Sequence, residues 1–426
     1  MQKQNFQEIS KNRPCPCGSG KVYGKCCRKK KIRYGIVNGK MVRQIPANSE
    51  VTRCIRSLRS MFQNYYGRAP QGDEFVLSFD PIYNDRVRLD TVYAMRKIKM
   101  PEDKIYAFYK TDGLMPSSKN VSMLSQKDIN EYKEKCKEYR RKICEPVEGQ
   151  INILQLTAFA DRYLEKIVSY SLKALTACLN NFIRRHSRKL RIYEFKMQTE
   201  LDYCMFSALK TIKTLESIGI LKEEHLTECI YALARGIFEN YMYLCAINRE
   251  ETFFEERLWR QMDEENYRFA TKKDGTVDYR RIIHIKTGEE QKVGANNTEL
   301  QKRLPYQEDK ELYRVFYTRA CWYVHVDVLS AQSYFAVTDP YEEIDPSLIA
   351  GLITVVLTTL LLNQLRKNRF VQPLFRRDAA YLCRKLNKKA KRGLEIAGID
   401  PEHPNAVLDL LIRRIDLELK ELREEE

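Results

Sequence analysis

The stretch LIAGLITVVLTTLLL, residues 348–362, is an apolar run of fifteen residues without a charge. A bilayer span needs about 20 predominantly apolar residues, whereas runs of about 10–14 are more often buried core helices. Asp345 and Pro346 precede the run and Asn363 follows it, as expected for the ends of a helix in a soluble domain. We therefore predict a central core helix and no membrane partner, with a membrane helix as the minor alternative.

Helical periodicity extends outward from this run and dominates the chain from Leu154 onward. We expect residues 154–426 to form a large bundle of long helices. The polar stretch 272–308 interrupts the pattern, and its segment DGTVDYRRIIHIKTGEEQ indicates a short hairpin or a lid. The predicted helices span residues 157–187, 190–217, 222–248, 250–271, 309–336, 346–367, 376–397 and 403–424.

The segment from residue 34 to residue 149 predicts a small α/β or α+β unit. Asn38 and Gly39 lie between two β-prone runs, which is a strong hairpin signal. Ser125 and Asp128 have the spacing of a capping box at the start of a charged helix. The other predicted elements are a helix that begins at Ser49 and strands at residues 74–79 and 104–111.

The composition of the 426-residue chain favours folded domains, because 43% of its residues are hydrophobic. A formal net charge of +17 favours an acidic partner, which is most often nucleic acid, with a membrane surface or an acidic protein as rivals. Nine of the 13 cysteines are scattered singly, which argues against a secreted, disulfide-built protein. The segment MQKQNFQEISKNRP lacks the apolar core of a signal peptide, so we expect a cytoplasmic protein.

Four further cysteines follow the pattern C-x-C-x8-C-C in RPCPCGSGKVYGKCC, residues 13–27. Four thiolates are a preferred tetrahedral ligand set for structural zinc, and Gly18, Gly20 and Gly24 would permit tight turns in the loop between them. The alternatives are two disulfides, which the adjacent final pair makes awkward, or four free thiols. The predicted ligands of one structural Zn²⁺ are Cys15, Cys17, Cys26 and Cys27.

The same fifteen residues resemble the SEC-C motif, a zinc knuckle first described at the C-terminus of the bacterial preprotein translocase ATPase. The PCPCGSGK core, Tyr23 and the closing cysteine pair carry the resemblance. In the translocase the knuckle contacts an export chaperone, so the resemblance implies a small binding module in a bacterial protein. The chain has no helicase or Walker motif, so the ATPase activity of the translocase does not carry over. Together these features predict a mainly α fold with an N-terminal zinc knuckle at residues 12–30, the small α/β unit and the helical bundle.

Basic residues surround the predicted knuckle. Four thiolates and one zinc ion carry a net negative charge, and the lysines inside the loop offset it. This role does not explain the run RKKK after the last ligand. Binding to RNA or DNA or to an acidic protein would explain that run, and a solvated tail is the alternative. The predicted partner-binding residues are Lys21, Lys25, Arg28, Lys29, Lys30 and Lys31.

A second candidate site lies in the helical region, where Arg235 and Glu239 are four residues apart and share a helix face. An exposed ion pair is the simpler interpretation, and a polar face that lines a cleft is the functional one. The region resembles a domain of unknown function that is often found after SEC-C knuckles. In that domain an R-x3-E helix is followed by a tyrosine and a late histidine, and the resemblance places Tyr317 and His325 at those positions.

The segment RACWYVH, from Arg319 to His325, also resembles the R-x4–6-H signature of HEPN ribonucleases. These are helical bundles, often dimeric, that cleave RNA without a metal. The resemblance implies that His325 transfers a proton, that Arg319 or else Arg235 stabilises phosphate charge, and that the helical domain forms a homodimer. Ala320 departs from the polar residue usual in that family, and an ideal helix separates Arg319 from His325 by about 120°. A buried core histidine is the alternative.

Three functional hypotheses follow. The leading one is a zinc-binding bacterial protein whose basic knuckle recognises nucleic acid or an acidic protein and carries a helical domain of unknown activity. The second is a metal-independent HEPN-like ribonuclease, such as a defence toxin. The third is a purely structural adaptor.

Overall fold

The computed structural model describes residues 6–37, 39–44, 84–117, 124–144, 152–187, 197–325, 327–398 and 405–425, with a few isolated positions between 56 and 121. The chain divides into two compact units. The first comprises Met1–Leu156 with Asp339–Tyr341, and the second comprises Thr157–Thr338 with Glu342–Glu426. Helix predominates in the described residues, which confirms the predicted mainly α fold with a small N-terminal α/β region.

Among its described residues, the first unit contains one antiparallel sheet of order β1-β2-β3 and three α-helices. The predicted hairpin at Gly39 is confirmed, because β2 and β3 pair from Arg33 opposite Gln44 to Val37 opposite Lys40. The elements are β1 (Gln7–Glu8), β2 (Arg33–Val37), β3 (Lys40–Gln44), α1 (Asn84–Lys97), α2 (Glu102–Lys110) and α3 (Gln126–Cys144).

The strand predicted at residues 104–111 is wrong, because this segment belongs to helix α2. Ile105, Tyr106 and Tyr109 are buried on one helical face and pack in a cluster with Val92 of α1. A short apolar and aromatic run has both helical and strand interpretations, and here tertiary packing selects the helix. The predicted strand at residues 74–79 lies outside the described residues, as does almost all of the helix expected from Ser49.

The capping box at the start of α3 is confirmed. The Asp128 amide donates to the Ser125 hydroxyl at 3.1 Å, and the Ser125 amide donates to the Asp128 carboxylate at 2.9 Å. These two bonds satisfy amide groups that have no partner within the helix.

The second unit is built around α11 (Pro346–Lys367), the predicted core helix. In the described part of the chain α11 is long and apolar enough to cross a membrane, but 94% of its most apolar window is buried inside the protein. Its principal neighbours are α6 (Thr227–Arg249) and α12 (Pro373–Ala397). The Asp345 side chain caps α11 by accepting a hydrogen bond from the Ser347 amide at 2.8 Å. This burial is that of a core helix.

Small residues bring the helices of the second unit close together. A Cβ added at Gly351 of α11 would lie 2.8 Å from Val168, and one added at Gly393 of α12 would lie 2.9 Å from Leu352. The remaining long helices are α4 (Ile153–His186), α5 (Glu200–Glu223) and α13 (Ala406–Glu424).

The helix predicted at residues 190–217 is instead α5, which begins at Glu200 and extends to Glu223. Two further predicted long helices are wrong in extent. Residues 250–271 form a π-helical turn at Phe254–Leu258, a 3-10 turn at Trp259–Gln261 and then β4 (Tyr267–Thr271). β4 pairs with β5 (Val277–His284), which also pairs with β6 (Glu290–Lys292), so the predicted hairpin is part of a three-stranded sheet.

Residues 309–336 do not form one helix either. They contain the end of α8 (Gln307–Leu312), a π-helical turn at Tyr313–Tyr317, α9 (Thr318–Val324) and α10 (Ala331–Phe335). A short helix, α7 (Asn297–Gln301), precedes them. α9 ends at His325, which is extended, and Asp327 then caps a new turn through the Leu329 amide at 2.9 Å.

Candidate functional sites

The four predicted zinc ligands converge. The sulfur atoms of Cys15, Cys17, Cys26 and Cys27 all lie within 4.8 Å of one another, and the Cys17 and Cys26 sulfurs are 3.6 Å apart. A tetrahedral site with Zn–S distances of about 2.3 Å needs sulfurs about 3.8 Å apart. Three of the four side chains are buried. The cluster therefore fits one metal ion held by four thiolates.

The backbone between the two cysteine pairs explains this convergence. The Cys15 amide donates to the Lys21 carbonyl at 2.9 Å and fixes the base of the loop. Gly18 and Gly20 have φ values of 78° and 69°, as predicted for turns that favour glycine. Gly24 does not have a positive φ, so the expectation that it permits a tight turn of this kind is wrong. It is needed for another reason, because a Cβ there would lie 3.1 Å from the Lys11 carbonyl oxygen.

Tyr23 belongs to the small core beside the cysteines, together with Ile9, Ile32 and Tyr34. It is fully buried, and its ring meets that of Tyr34 edge to face with centroids 6.0 Å apart. Its hydroxyl donates to Glu8 at 2.9 Å and accepts from the Tyr34 amide at 3.0 Å. The knuckle is thereby attached to strands β1 and β2, since Glu8 and Tyr34 lie on them.

The thiols differ in their affinity for a proton. Burial raises the pKa of Cys15 and Cys27. Burial would also raise the pKa of Cys17, but hydrogen bonds, of which the strongest is that of Ser19, lower it to about 6. The Ser19 hydroxyl also lies 3.0 Å from the Cys26 sulfur. A metal ion must displace the remaining protons, which couples its affinity to pH.

Two groups of basic residues are distinguished at the knuckle. Arg28 and Arg33 are paired with Glu8 at 2.9 Å and 3.0 Å. The second group, here called the knuckle lysines, is exposed and forms no ion pair within the described part of the chain. The knuckle lysines are Lys21, Lys25, Lys29, Lys30 and Lys31.

A polar cluster in the second unit brings Arg235, Glu239 and Tyr317 together. The Arg235 guanidinium lies 3.4 Å from the Glu239 carboxylate and 5.5 Å from the centre of the Tyr317 ring. The Tyr317 hydroxyl donates to Glu239 at 2.5 Å. Burial and the Glu239 carboxylate raise the pKa of Tyr317 well above its usual value, so the phenol stays protonated. Arg235 and Glu239 therefore form part of a network between α6 and the turn before α9, and they are more than an exposed ion pair.

Cys321 and Asn297 complete this polar cluster, and sequence analysis missed both of them. Arg235 lies 3.5 Å from the Cys321 sulfur, and the Asn297 amide donates to the Tyr317 hydroxyl at 2.5 Å. The stripe of Tyr317 and Cys321 on consecutive turns could have indicated Cys321. No sequence signal connects Asn297 to the others.

His325 and Arg319 are both exposed. His325 lies at the end of α9, and its amide donates to the Cys321 carbonyl at 3.1 Å. His325 is thus one turn beyond the thiol that Arg235 contacts. Arg319 is exposed on the turn that precedes Cys321, and no described contact joins it to His325.

Comparison with known families finds two matches. Residues 12–29 match the SEC-C motif, which confirms that part of the predicted resemblance. Residues 201–343, about a third of the chain, match a family of unknown function, DUF5677. That match contains α6 and α9, and so both halves of the polar cluster. No curated protein and no solved structure matches the chain.

Proposed function

We propose that the N-terminal knuckle is a zinc-built binding module that presents the knuckle lysines to a polyanion, either nucleic acid or an acidic protein. The observation that carries the proposal is the division of the basic residues. Arg28 and Arg33 are both paired with the Glu8 carboxylate, whereas the five knuckle lysines have no carboxylate partner among the described residues. A polyanion would supply the missing charge.

Zinc is the metal that this ligand set favours. Four thiolates in a closed tetrahedron are typical of structural zinc, and a knuckle with so small a core gains its folding free energy from the metal. Cysteines that bind a metal as thiolates fit a reducing cytoplasm, where disulfides are rare. The resemblance to bacterial SEC-C proteins supports the same location for this protein.

Salt-dependent binding tests the proposal. A fluorescent single-stranded RNA, a duplex DNA and a polyglutamate peptide are titrated with the full chain at several salt concentrations. Lys29→Ser/Lys30→Ser/Lys31→Ser should weaken binding to the true partner and reduce the slope of log affinity against log salt by about 2–3 for nucleic acid.

A matched control removes the same charge elsewhere. Lys273, Lys286 and Lys302 are exposed residues of the second unit, and replacing all three with serine should leave the affinity unchanged. Equal losses in both triple variants would show that net charge alone is responsible. Absence of binding to all three probes at low salt would overturn the proposal.

A second candidate function is metal-independent RNA cleavage by a HEPN-like dimer of the helical domain. One observation favours it: Arg235 contacts Cys321, one turn before the exposed His325. Arg235 is therefore the better partner for His325 than Arg319. In that reaction His325 would transfer a proton and Arg235 would stabilise phosphate charge.

RNA cleavage in the presence of a chelator tests this candidate. His325→Ala and Arg235→Lys should each abolish cleavage, whereas Arg319→Ala should retain it. His325 is exposed, so its replacement should not unfold the bundle, and thermal denaturation verifies this. Cleavage that persists in His325→Ala, or no cleavage of any RNA by the unaltered protein, would refute the candidate.

A further inference from the structure

A cleft of about 1220 Å³ lies beside the sheet β4-β5-β6. One wall is formed by β5 and β6, and the other by residues 293–297 and Tyr243 of α6. The cleft is roomier than the few hundred to one thousand Å³ typical of small-ligand pockets. Neither the knuckle nor the ribonuclease candidate uses it.

The charges that line the cleft leave an excess of cations. Both of its carboxylates, Asp278 and Glu290, are paired with Arg281, at 3.8 Å and 2.6 Å. Lys272 and Arg280 also line the cleft, are exposed and form no ion pair with any described residue. An anionic ligand would satisfy these two cations, whereas a cationic ligand would find no free carboxylate.

An exposed aromatic ring also lines the cleft. Tyr279 is 70% exposed, and its ring leans edge to face on Phe269 with centroids 5.2 Å apart. Val277, two residues earlier on β5, is 44% exposed. A planar group stacked on Tyr279 would cover this apolar surface, and stacking of bases on aromatic side chains is a general mode of nucleic-acid binding.

The cleft adjoins the polar cluster, because Asn297 belongs to both. Asn297 lines the cleft and donates to the Tyr317 hydroxyl at 2.5 Å. Tyr243 lies one helical turn after Glu239, and its hydroxyl donates to the Ala295 carbonyl at 3.2 Å. A ligand in the cleft would therefore reach the same helix face that carries Arg235 and Glu239.

From these observations we infer that the cleft binds a nucleotide unit, with its phosphate on Lys272 and Arg280 and its base on Tyr279. The unit can come from a free mononucleotide or from a single strand of RNA. The two sources share this chemistry, and competition distinguishes them. The inference is independent of the function proposed for the knuckle.

Binding is measured in a Lys29→Ser/Lys30→Ser/Lys31→Ser background, so that the knuckle cannot supply the signal. The probe is a short fluorescein-labelled single-stranded RNA, with AMP and UMP as unlabelled competitors. Lys272→Ser/Arg280→Ser should weaken RNA binding about tenfold or more and reduce the salt slope by roughly 1.4. Tyr279→Ser should weaken binding about tenfold with little change in the salt slope.

Arg268→Ser/Lys286→Ser is the matched control, because Arg268 on β4 and Lys286 in the turn between β5 and β6 are exposed and neither lines the cleft. It should bind like the background protein. Competition by mononucleotides at affinities near that of the RNA would identify a free nucleotide as the ligand, and binding of RNA alone would identify a strand. No binding in the background protein, an unchanged affinity in the Tyr279 variant, or an equal loss in the control would overturn the inference.

Discussion

The Arg414 guanidinium of α13 donates to the Asp309 carboxylate of α8 at 2.7 Å, and both side chains are almost completely buried. Arg414 also donates to Glu418 at 2.9 Å and to the Tyr241 hydroxyl at 3.3 Å. The pair joins the last helix of the chain to a helix that precedes it by about a hundred residues. It also stabilises α6, since Tyr241 lies on that helix.

We expect Arg414→Leu to lower the free energy of unfolding of the second unit by about 3–5 kcal/mol. Removing one partner leaves Asp309 as a buried charge without compensation, and that cost exceeds the loss of the attraction itself. Urea denaturation followed by far-UV circular dichroism measures the effect.

Arg413 supplies the control, because it is adjacent, is 60% exposed and pairs with Glu311 at 3.3 Å. Arg413→Leu should change stability by less than about 1 kcal/mol. Similar losses in the two variants would contradict the special role of the buried pair.

A second prediction concerns the pH dependence of stability. Burial raises the pKa of Glu418 above its ordinary value of 4.5. A carboxyl group whose pKa is raised on folding binds its proton more tightly in the folded state. The stability that the proton contributes is fully present at a pH below the pKa of the group in the unfolded state. It is lost as the pH rises through the pKa of the group in the folded state. Glu418→Gln removes this titration, so the variant should gain stability relative to the unaltered protein as the pH rises above 4.5.

Urea denaturation at several pH values between acid and neutral measures the difference between the two proteins. Glu424→Gln on the same helix is the control, because Glu424 is 67% exposed, and it should follow the pH profile of the unaltered protein. A Glu418→Gln profile parallel to that of the unaltered protein would show that the Glu418 pKa is not raised.

The features that were predicted correctly from the sequence are those that depend on residues close together along the chain. The bounds of α11 agree with the prediction because Asp345, Pro346 and a run of apolar residues determine them locally. The cysteine cluster was predictable for the same reason, since all four ligands lie within thirteen residues. The three-stranded sheet was predicted only in part, because β4 becomes a strand by pairing with β5, and residues 250–271 carry a helical pattern of their own.

The polar cluster is a candidate site that could be predicted only in part, because most of its contacts join residues far apart along the chain. Arg235 and Glu239 were predicted as a pair because they are four residues apart, but their contacts with Tyr317 and Cys321 join positions about eighty residues distant. Asn297 lies on the short helix α7, in the polar stretch 272–308, where no helix was predicted. His325 was expected on a continuous helix, and the end of α9 leaves it exposed.

A third prediction tests the metal centre. Cys26→Ser/Cys27→Ser should reduce zinc from one ion per chain to nearly none, because it removes two of four ligands. Elemental analysis of the purified protein measures the stoichiometry. Because structural zinc supplies folding free energy directly, the knuckle should become sensitive to proteolysis while the helical content is retained.

The control for the metal centre is Cys136→Ser/Cys144→Ser, which removes two cysteines of α3 that are not in the cluster. It should retain a full zinc content. The assignment of the ligands is incorrect if the Cys26→Ser/Cys27→Ser protein also keeps one zinc per chain.

The last prediction uses Glu8, whose carboxylate accepts hydrogen bonds from Tyr23, Arg28 and Arg33. The Tyr23 hydroxyl and the two arginines hold the pKa of Glu8 below its usual value, so it is ionised at neutral pH. Glu8→Gln removes the negative charge with which the two arginines are paired and makes both available to a polyanion. Affinity for the partner should rise, and the slope of log affinity against log salt should steepen by about 1–2.

Glu216→Gln makes the same change of charge at an exposed position of α5, far along the chain from the knuckle, and should leave both affinity and slope unchanged. Zinc content is measured in parallel, because a Glu8→Gln knuckle that lost its metal would bind weakly for a different reason. A Glu8→Gln protein with full zinc and unaltered affinity would show that Arg28 and Arg33 do not face the partner. Binding would then be confined to the knuckle lysines, which Glu8 leaves unpaired in the unaltered protein.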